Sequence, residues 1–331
     1  FINNIGVSQD LQNAGFINAG SYTSPDERII AFFGRANATI DDAIFLNASI
    51  RREGSSKLGS QSKWGWFPSL GAGIDINKYA QIQGVDVFKL RVGYGITGAL
   101  PGPNGLAQDG RGIVNGTDGS VSSRLNRVGN DSLKWEQKAE LNAGLDFGFG
   151  KLTGSIDVFN RNISDFILEV VVDPAQNRGV DRQFRNAGQL TVKGLELALN
   201  YDLFNNGSSS YTTGVVLSTY STILKDYVQE QNVIGNLGSP GQNGTNMILI
   251  RKGDQVGQIW GPVFDGVNDN GTPKFKDVNG DGKLVTGQDQ ALNPEADFEV
   301  LGRGFPTLEL GWNNNLTIGG FNINAFFRGA F

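Results

Sequence analysis

The residues of this chain best suited to chemistry are small oxygen donors. Asp277, Asn279 and Asp281 alternate along Asp277-Val278-Asn279-Gly280-Asp281-Gly282-Lys283, with a glycine directly after the third. That spacing wraps three side-chain oxygens around one hard cation. The glycine permits the sharp turn and the Lys283 carbonyl joins the set, so the chemistry it suits is calcium coordination. The place of the closing bidentate acid is held by Gln288, with Asp289 one residue later, and no helical pattern flanks the segment. The expectation is a structural Ca2+ in a loop, on Asp277, Asn279, Asp281, Lys283 and Asp289, set against an Asx-rich turn that binds nothing. No cofactor is expected to be required.

Other patterns mimic chemistry. Gly93-Tyr94-Gly95-Ile96-Thr97-Gly98 is a literal G-x-G-x-x-G, but a dinucleotide fingerprint must open a helix, and Ala99-Leu100-Pro101-Gly102-Pro103 blocks one. Its glycines fit a strand that needs room beside a neighbour. Glu295 and Asp297 have the residue types of a glycosidase pair, yet nothing in the sequence places them in a pocket. Trp260 and Phe264 are candidates for stacking on a substrate or meeting a lid, with packing inside their own loop as the plainer role. Composition closes most remaining routes, because the 331 residues hold no His and no Cys. A Ser-His-Asp triad, a thiol nucleophile, a histidine zinc site and a disulfide framework are all excluded. The chain is not expected to be an enzyme, and 33 acids against 28 bases give no field for nucleic acid.

The elements that would position these residues are strands. Leu141, Ala143, Leu145, Phe147 and Phe149 alternate with Asn142, Gly144, Asp146 and Gly148. Leu195, Leu197, Leu199, Tyr201 and Leu203 alternate with Glu196, Ala198, Asn200 and Asp202, and the same period runs through 88–96 and 308–318. A period of two gives each strand one apolar and one polar face. Strands are expected near 27–40, 43–53, 64–76, 87–98, 134–149, 151–168, 184–204, 210–226, 305–318 and 320–331. Their connections alternate in length. Asp41-Asp42, 77–86, Gly150-Lys151, 205–209 and Gly319-Gly320 are short, whereas 54–63, 99–133, 169–183 and 227–304 are long and rich in Gly, Asn, Asp and Pro.

Short turns at one end and long loops at the other is the pattern of an outer-membrane barrel. Several strands run to about 14 residues, roughly 46 Å, enough to cross the hydrocarbon core when tilted; strands of a soluble sandwich are usually about 5 or 6 residues. The fold expected is all-β, an antiparallel transmembrane β-barrel seen in part. Residues 1–26 are expected to be an irregular entry segment or loop, and 27–331 the partial barrel, with a long extracellular loop at 227–304. The start at Phe1 and the stop inside an alternating run suggest a longer polypeptide.

At this point the motifs resemble a family. Lys63-Trp64-Gly65-Trp66-Phe67-Pro68-Ser69-Leu70 and Phe88-Lys89-Leu90-Arg91-Val92-Gly93-Tyr94-Gly95-Ile96-Thr97-Gly98 resemble stretches of SusC/RagA-type TonB-dependent outer-membrane transporters. Leu133-Lys134-Trp135-Glu136, Asn186-Ala187-Gly188, Val192-Lys193-Gly194-Leu195-Glu196 and the 277–283 run follow in the family's order. The resemblance implies about ten strands of a 22-stranded barrel whose plug domain and closing strands lie outside this chain. It further implies import of a bulky nutrient, an oligosaccharide or peptide, driven by TonB under a SusD-like lipoprotein lid, in the outer membrane of a Gram-negative bacterium. A passive porin-like channel, a barrel component of a surface or secretion complex, and a surface binding module are the competing readings.

The alternation adds an expectation of its own. Asn47, Ser49, Arg51, Lys89, Arg91, Asp146, Asp157, Arg161, Glu196, Asp202, Glu309 and Arg328 should point into a wet lumen or toward a plug, because Arg or Lys on the lipid side at mid-membrane costs about 2–4 kcal/mol. Tyr94, Tyr201, Tyr211 and Trp312 are expected as interface girdles rather than sugar platforms.

Overall fold

The computed structural model describes residues 27–115, 121–238, 244–287 and 291–331. The entry segment 1–26 and Asp289 lie outside them. In chain order the strands are β1 (Ile29–Ile40), β2 (Ile44–Ser55), β3 (Trp64–Asp75), then the one-turn helix α1 (Asn77–Ala80) and β4 (Val87–Ala99). A hairpin of β5 (Gly110–Asn115) and β6 (Val121–Arg127) precedes β7 (Glu136–Phe149) and β8 (Leu152–Ser164). A second hairpin, β9 (Ile167–Val171) and β10 (Arg182–Asn186), precedes β11 (Gln189–Asn205) and β12 (Ser209–Asp226). The longest excursion holds β13 (Gln231–Leu237), β14 (Thr245–Arg251), β15 (Gln258–Pro262), β16 (Phe264–Val267), β17 (Pro273–Phe275) and β18 (Phe298–Arg303), before β19 (Glu309–Ile318) and β20 (Phe321–Ala330).

All the long strands enter one antiparallel sheet of ten, in the order β1-β2-β3-β4-β7-β8-β11-β12-β19-β20. Sequence neighbours pair throughout, as a meandering wall requires. The short turns are built from residues that tolerate the left-handed region: Asp41 and Asp42, with φ of 52° and 53°, join β1 to β2, and Gly150 and Gly319 do the same later. The expected strands stand at nearly the expected bounds. Two begin late for local reasons. Residues 184–186 belong to β10, and Gly188, at φ 136°, breaks the chain before β11. Pro306, which has no N–H to give a ladder, delays β19 to Glu309.

Register decides which side chains share a face. One row across the sheet reads Leu90, Leu145, Ile156, Leu197, Leu217 and Leu310. The next reads Arg91, Gly144, Asp157, Glu196, Ser218 and Glu309. From β4 to β19 the wall therefore has an apolar and a charged side, and the apolar side is open: Leu70 is 62% exposed and Leu141 50%. In water such a continuous face would be an aggregation surface; a bilayer is its matching solvent. Among the described residues no helix is long and apolar enough to cross a membrane.

Buried apolar residues gather at the long-loop end. There Phe67 of β3 meets Trp135 edge-on, ring centroids 5.2 Å apart, with Leu58 completing the cluster. The Trp135 indole N–H donates to the Lys63 carbonyl at 2.9 Å. Of the 93–98 run Gly98 serves this packing, since a side chain there would overlap the Phe67 ring.

Candidate functional site

The charged face of the sheet carries a three-residue ion cluster and several separate ion pairs. Arg91 on β4 faces β7, where Asp146 is displaced by two residues from its register partner Gly144. The guanidinium donates from Nε and Nη2 to the two Asp146 oxygens, both at 2.8 Å, and from Nη2 to Asp157 on β8 at 3.0 Å. It reaches two strands because Gly144 stands in between: a Cβ there would lie 2.4 Å from the Asp157 carboxylate and 2.8 Å from Arg91 Nη2. Beside it, Lys89 lies over the Phe45 ring, 4.3 Å from its centroid. Toward the long-loop end Arg161 donates to Glu140 at 2.7 Å, and Arg51 pairs with Glu53. Further round, Asp202 accepts from the Thr212 hydroxyl at 2.8 Å, and Arg328 reaches Glu309 at 3.3 Å. Every residue expected on the polar side, from Arg51 to Arg328, falls on this face.

Of these groups Phe45, Lys89, Arg91 and Glu140 border an open depression of about 500 Å³, whose floor runs over Gly71, Gly93 and Gly95 and whose rim also includes Asn47, Lys138 and Asn142. It offers cations, carboxylates and amides around a bare backbone. Such a surface suits contact with polar groups.

Above the sheet the long connections are stitched together. Asn130 Nδ2 donates to the Phe184 carbonyl at 2.8 Å, and Gln183 Nε2 to the Gly129 carbonyl at 3.1 Å. Asn186 bonds Lys134 in both directions, accepting its N–H and donating to its carbonyl. Arg178 grips Asp109 with two donors, at 2.8 and 2.6 Å. That guanidinium, helped by the Gly129 amide, pulls the Asp109 carboxyl down to about 2. Asp131 binds the Ser60 amide and hydroxyl, which ties in the β2–β3 loop.

The 277–283 run folds as a turn clamped by its own carboxylates. Asp277 accepts the amides of Gly280 and Gly282, Asn279 that of Asp281, and Asp281 that of Lys283. Among the described residues no three acidic groups converge on a metal-sized space. Asp297 explains the turn's placement. It is fully buried, and its two oxygens accept the amides of Val278 and Val285, each at 2.7 Å. The Val285 amide is the chief cause that holds this carboxyl below its usual range, against burial. Asp297 is thus a structural clamp and Glu295 is exposed, so the two do not form a catalytic pair. The Trp260 N–H is committed to the Ala291 carbonyl at 2.8 Å, with Phe298 beside the ring, whereas Phe264 is 61% exposed.

This wall and its loops have relatives. The family model for the β-barrel of TonB-dependent receptor-like proteins matches residues 3–324. The chain belongs to that family. The TonB-dependent receptor SusC of Bacteroides thetaiotaomicron is 32% identical over 184 residues, covering 52% of this chain and 18% of SusC. TonB-dependent receptor P3 of Formosa agariphila is 24% identical across 98% of this chain and 33% of the relative. Among solved structures, that of the RagAB peptide transporter superposes with a TM-score of 0.78 at 20% identity, over 97% of this chain and 35% of that one. The TonB-dependent receptor barrel seen here therefore spans between about a fifth and a third of the curated relatives' length. The SusC/RagA-type resemblance read from the motifs is borne out, and so are the partial barrel and its place in the outer membrane of a Gram-negative bacterium.

Within this barrel the motif residues prove mainly architectural. Trp135 and Asn186 hold the outer loops together, and Phe67 with its flanking glycines forms the buried cluster. The loop tethers and the Asp297 clamp have no spacing signal in the sequence, since their partners lie up to 72 residues apart.

Proposed function

We propose that this chain is the wall-forming part of a TonB-driven importer whose charged face lines the lumen and contacts a plug and the passing nutrient. The observation that carries the reading is the division of the ten-stranded sheet into a mainly apolar, exposed face and a polar one that holds its acidic residues and ion pairs. Arg51, Lys89, Arg91, Asp146, Asp157, Arg161, Glu196, Asp202 and Glu309 form the lumenal set, and Phe264 is available to cargo or a lid at the surface. The cargo is an oligosaccharide or peptide, and the outer partner a SusD-like lipoprotein. Support comes from the similarity to SusC and to the RagAB peptide transporter. The protein acts by conformational gating rather than catalysis. Calcium at Asp277, Asn279, Asp281 and the Lys283 carbonyl, with Asp289, belongs to the same proposal, as a staple of the outer loop.

Uptake by cells tests it. Cells producing or lacking the full-length protein would be given fluorescent oligosaccharides and oligopeptides, with and without TonB. Loss of uptake of one class on removing either component is the expected result. Uptake that persists without TonB would favour the passive channel.

A further inference from the structure

Charge on the apolar face is rare and one-signed. Every Asp and Glu in the interior of the ten strands belongs to the polar face, whereas Arg52 and Lys193 lie on the apolar one, in register with Phe32 and Trp66 for the first and with Asn160 and Ser221 for the second. Both sit near the long-loop end of their strands, past the last aliphatic rungs. Neither forms an ion pair among the described residues.

Arg52 is the better developed of the two. Its guanidinium carbon lies 4.9 Å from the Trp64 ring centroid and 5.2 Å from that of Trp66, and Phe32 stacks on Trp64 at 6.3 Å. The Trp64 ring lies across Gly54, where a Cβ would approach it to 2.8 Å, so it is pressed onto the sheet beside the arginine. The rings hold the guanidinium by its face and leave its N–H edge without a protein acceptor among the described residues. Further along the same strands, toward the short turns, a shallow apolar trough of about 490 Å³ runs between Ala36, Ala38, Leu46, Ala48, Leu70 and Tyr94.

An oriented guanidinium is a recognition element for phosphate, and aromatic residues settle at the headgroup level of a bilayer. An arginine placed there with no acid beside it complements an anionic headgroup. We infer that the outer face of this barrel carries a lipid site, in which Arg52, set by Trp64, Trp66 and Phe32, binds a lipid-borne phosphate of the outer leaflet while an acyl chain of that lipid lies in the trough beneath. The site rests on the proposed facing of the wall and is separate from the transport path.

The experiment uses the full-length protein in detergent, titrated with phosphorylated lipid A and with the same lipid enzymatically dephosphorylated, bound lipid being counted by native mass spectrometry. Phosphorylated lipid should bind, and the dephosphorylated form about tenfold more weakly, the size of one charge-assisted hydrogen bond. R52Q should lose about the same factor, R52K should fall between, and K193Q should change binding less than R52Q. Equal binding of the two lipids by the unaltered protein, or undiminished binding by R52Q, would overturn the inference. The lipid comparison needs no variant, so it decides even if R52Q does not assemble. Because Arg52 is remote from the polar face, nutrient uptake should survive R52Q. Failure of the lipid site would leave the import reading intact, and failure of import would leave the lipid titration interpretable.

Discussion

Leucine 197 gives the sharpest test of the two-faced wall. It stands at the centre of the 17-residue strand β11, flanked in register by Ile156 and Leu217 on the apolar face. Seventeen residues span about 53 Å, or about 40 Å across the bilayer at a 40° tilt, so the strand centre lies near mid-membrane. A lysine there costs about 2–4 kcal/mol, a shift of roughly 30- to 900-fold in the assembly equilibrium. The neighbouring Glu196 has Asp157 and Ser218 beside it on the other face. A lysine at 196 gains an acidic neighbour and stays wet, so its cost should remain within about 1 kcal/mol. The assay is the folded fraction of full-length protein in outer membranes, read by heat-modifiable gel mobility and protease protection for L197K and E196K. Tolerance of L197K together with loss of E196K would invert the facing and refute both the lumenal set and the outward lipid site.

Other outcomes follow from particular contacts. Trp135→Ala removes a 4% exposed indole from the Phe67 cluster together with its bond to the Lys63 carbonyl, and should destabilise the outer loops by about 3–5 kcal/mol, measured as earlier thermal loss of protection against proteolysis at the β4–β7 and β8–β11 loops. The Asp109–Arg178 clip has a depressed carboxyl pKa, so its contribution is complete above the ordinary value near 4 and vanishes as pH falls through about 2. Hydrogen exchange in the two loops should accelerate in that window, and D109N should abolish the pH dependence. Calcium titrated calorimetrically into the full-length protein should give heat that D281A lacks; no heat with either protein would remove the metal.

The wall was legible from the sequence because period two fixes facing without knowledge of any contact. Leu141 to Phe149 and Leu195 to Leu203 could be assigned to one side before their partners were known, and register then aligned them. Ion pairing was legible only as a shared face. That Arg91 would choose Asp146 and Asp157, rather than Glu196, depends on side-chain reach across Gly144. The loops were least legible. Their hairpins are short and irregular, and nothing in the spacing around Asp297 shows that its oxygens are spent on the backbone amides of Val278 and Val285. Arg52 has no such signal, because it interrupts the alternation and its ring partners lie on neighbouring strands.

The stitching of the outer connections implies that the long-loop side of this barrel behaves as a single antigenic surface. Asn130, Asn186, Asp109 and Asp131 join segments that are far apart in sequence, so an epitope on the β9–β10 hairpin would be conformational, built partly by residues near 109 and 130. An antibody or phage fibre raised against that hairpin as an isolated peptide should recognise the assembled protein poorly. One raised against the folded barrel should, in turn, sense substitutions in a loop that it never touches.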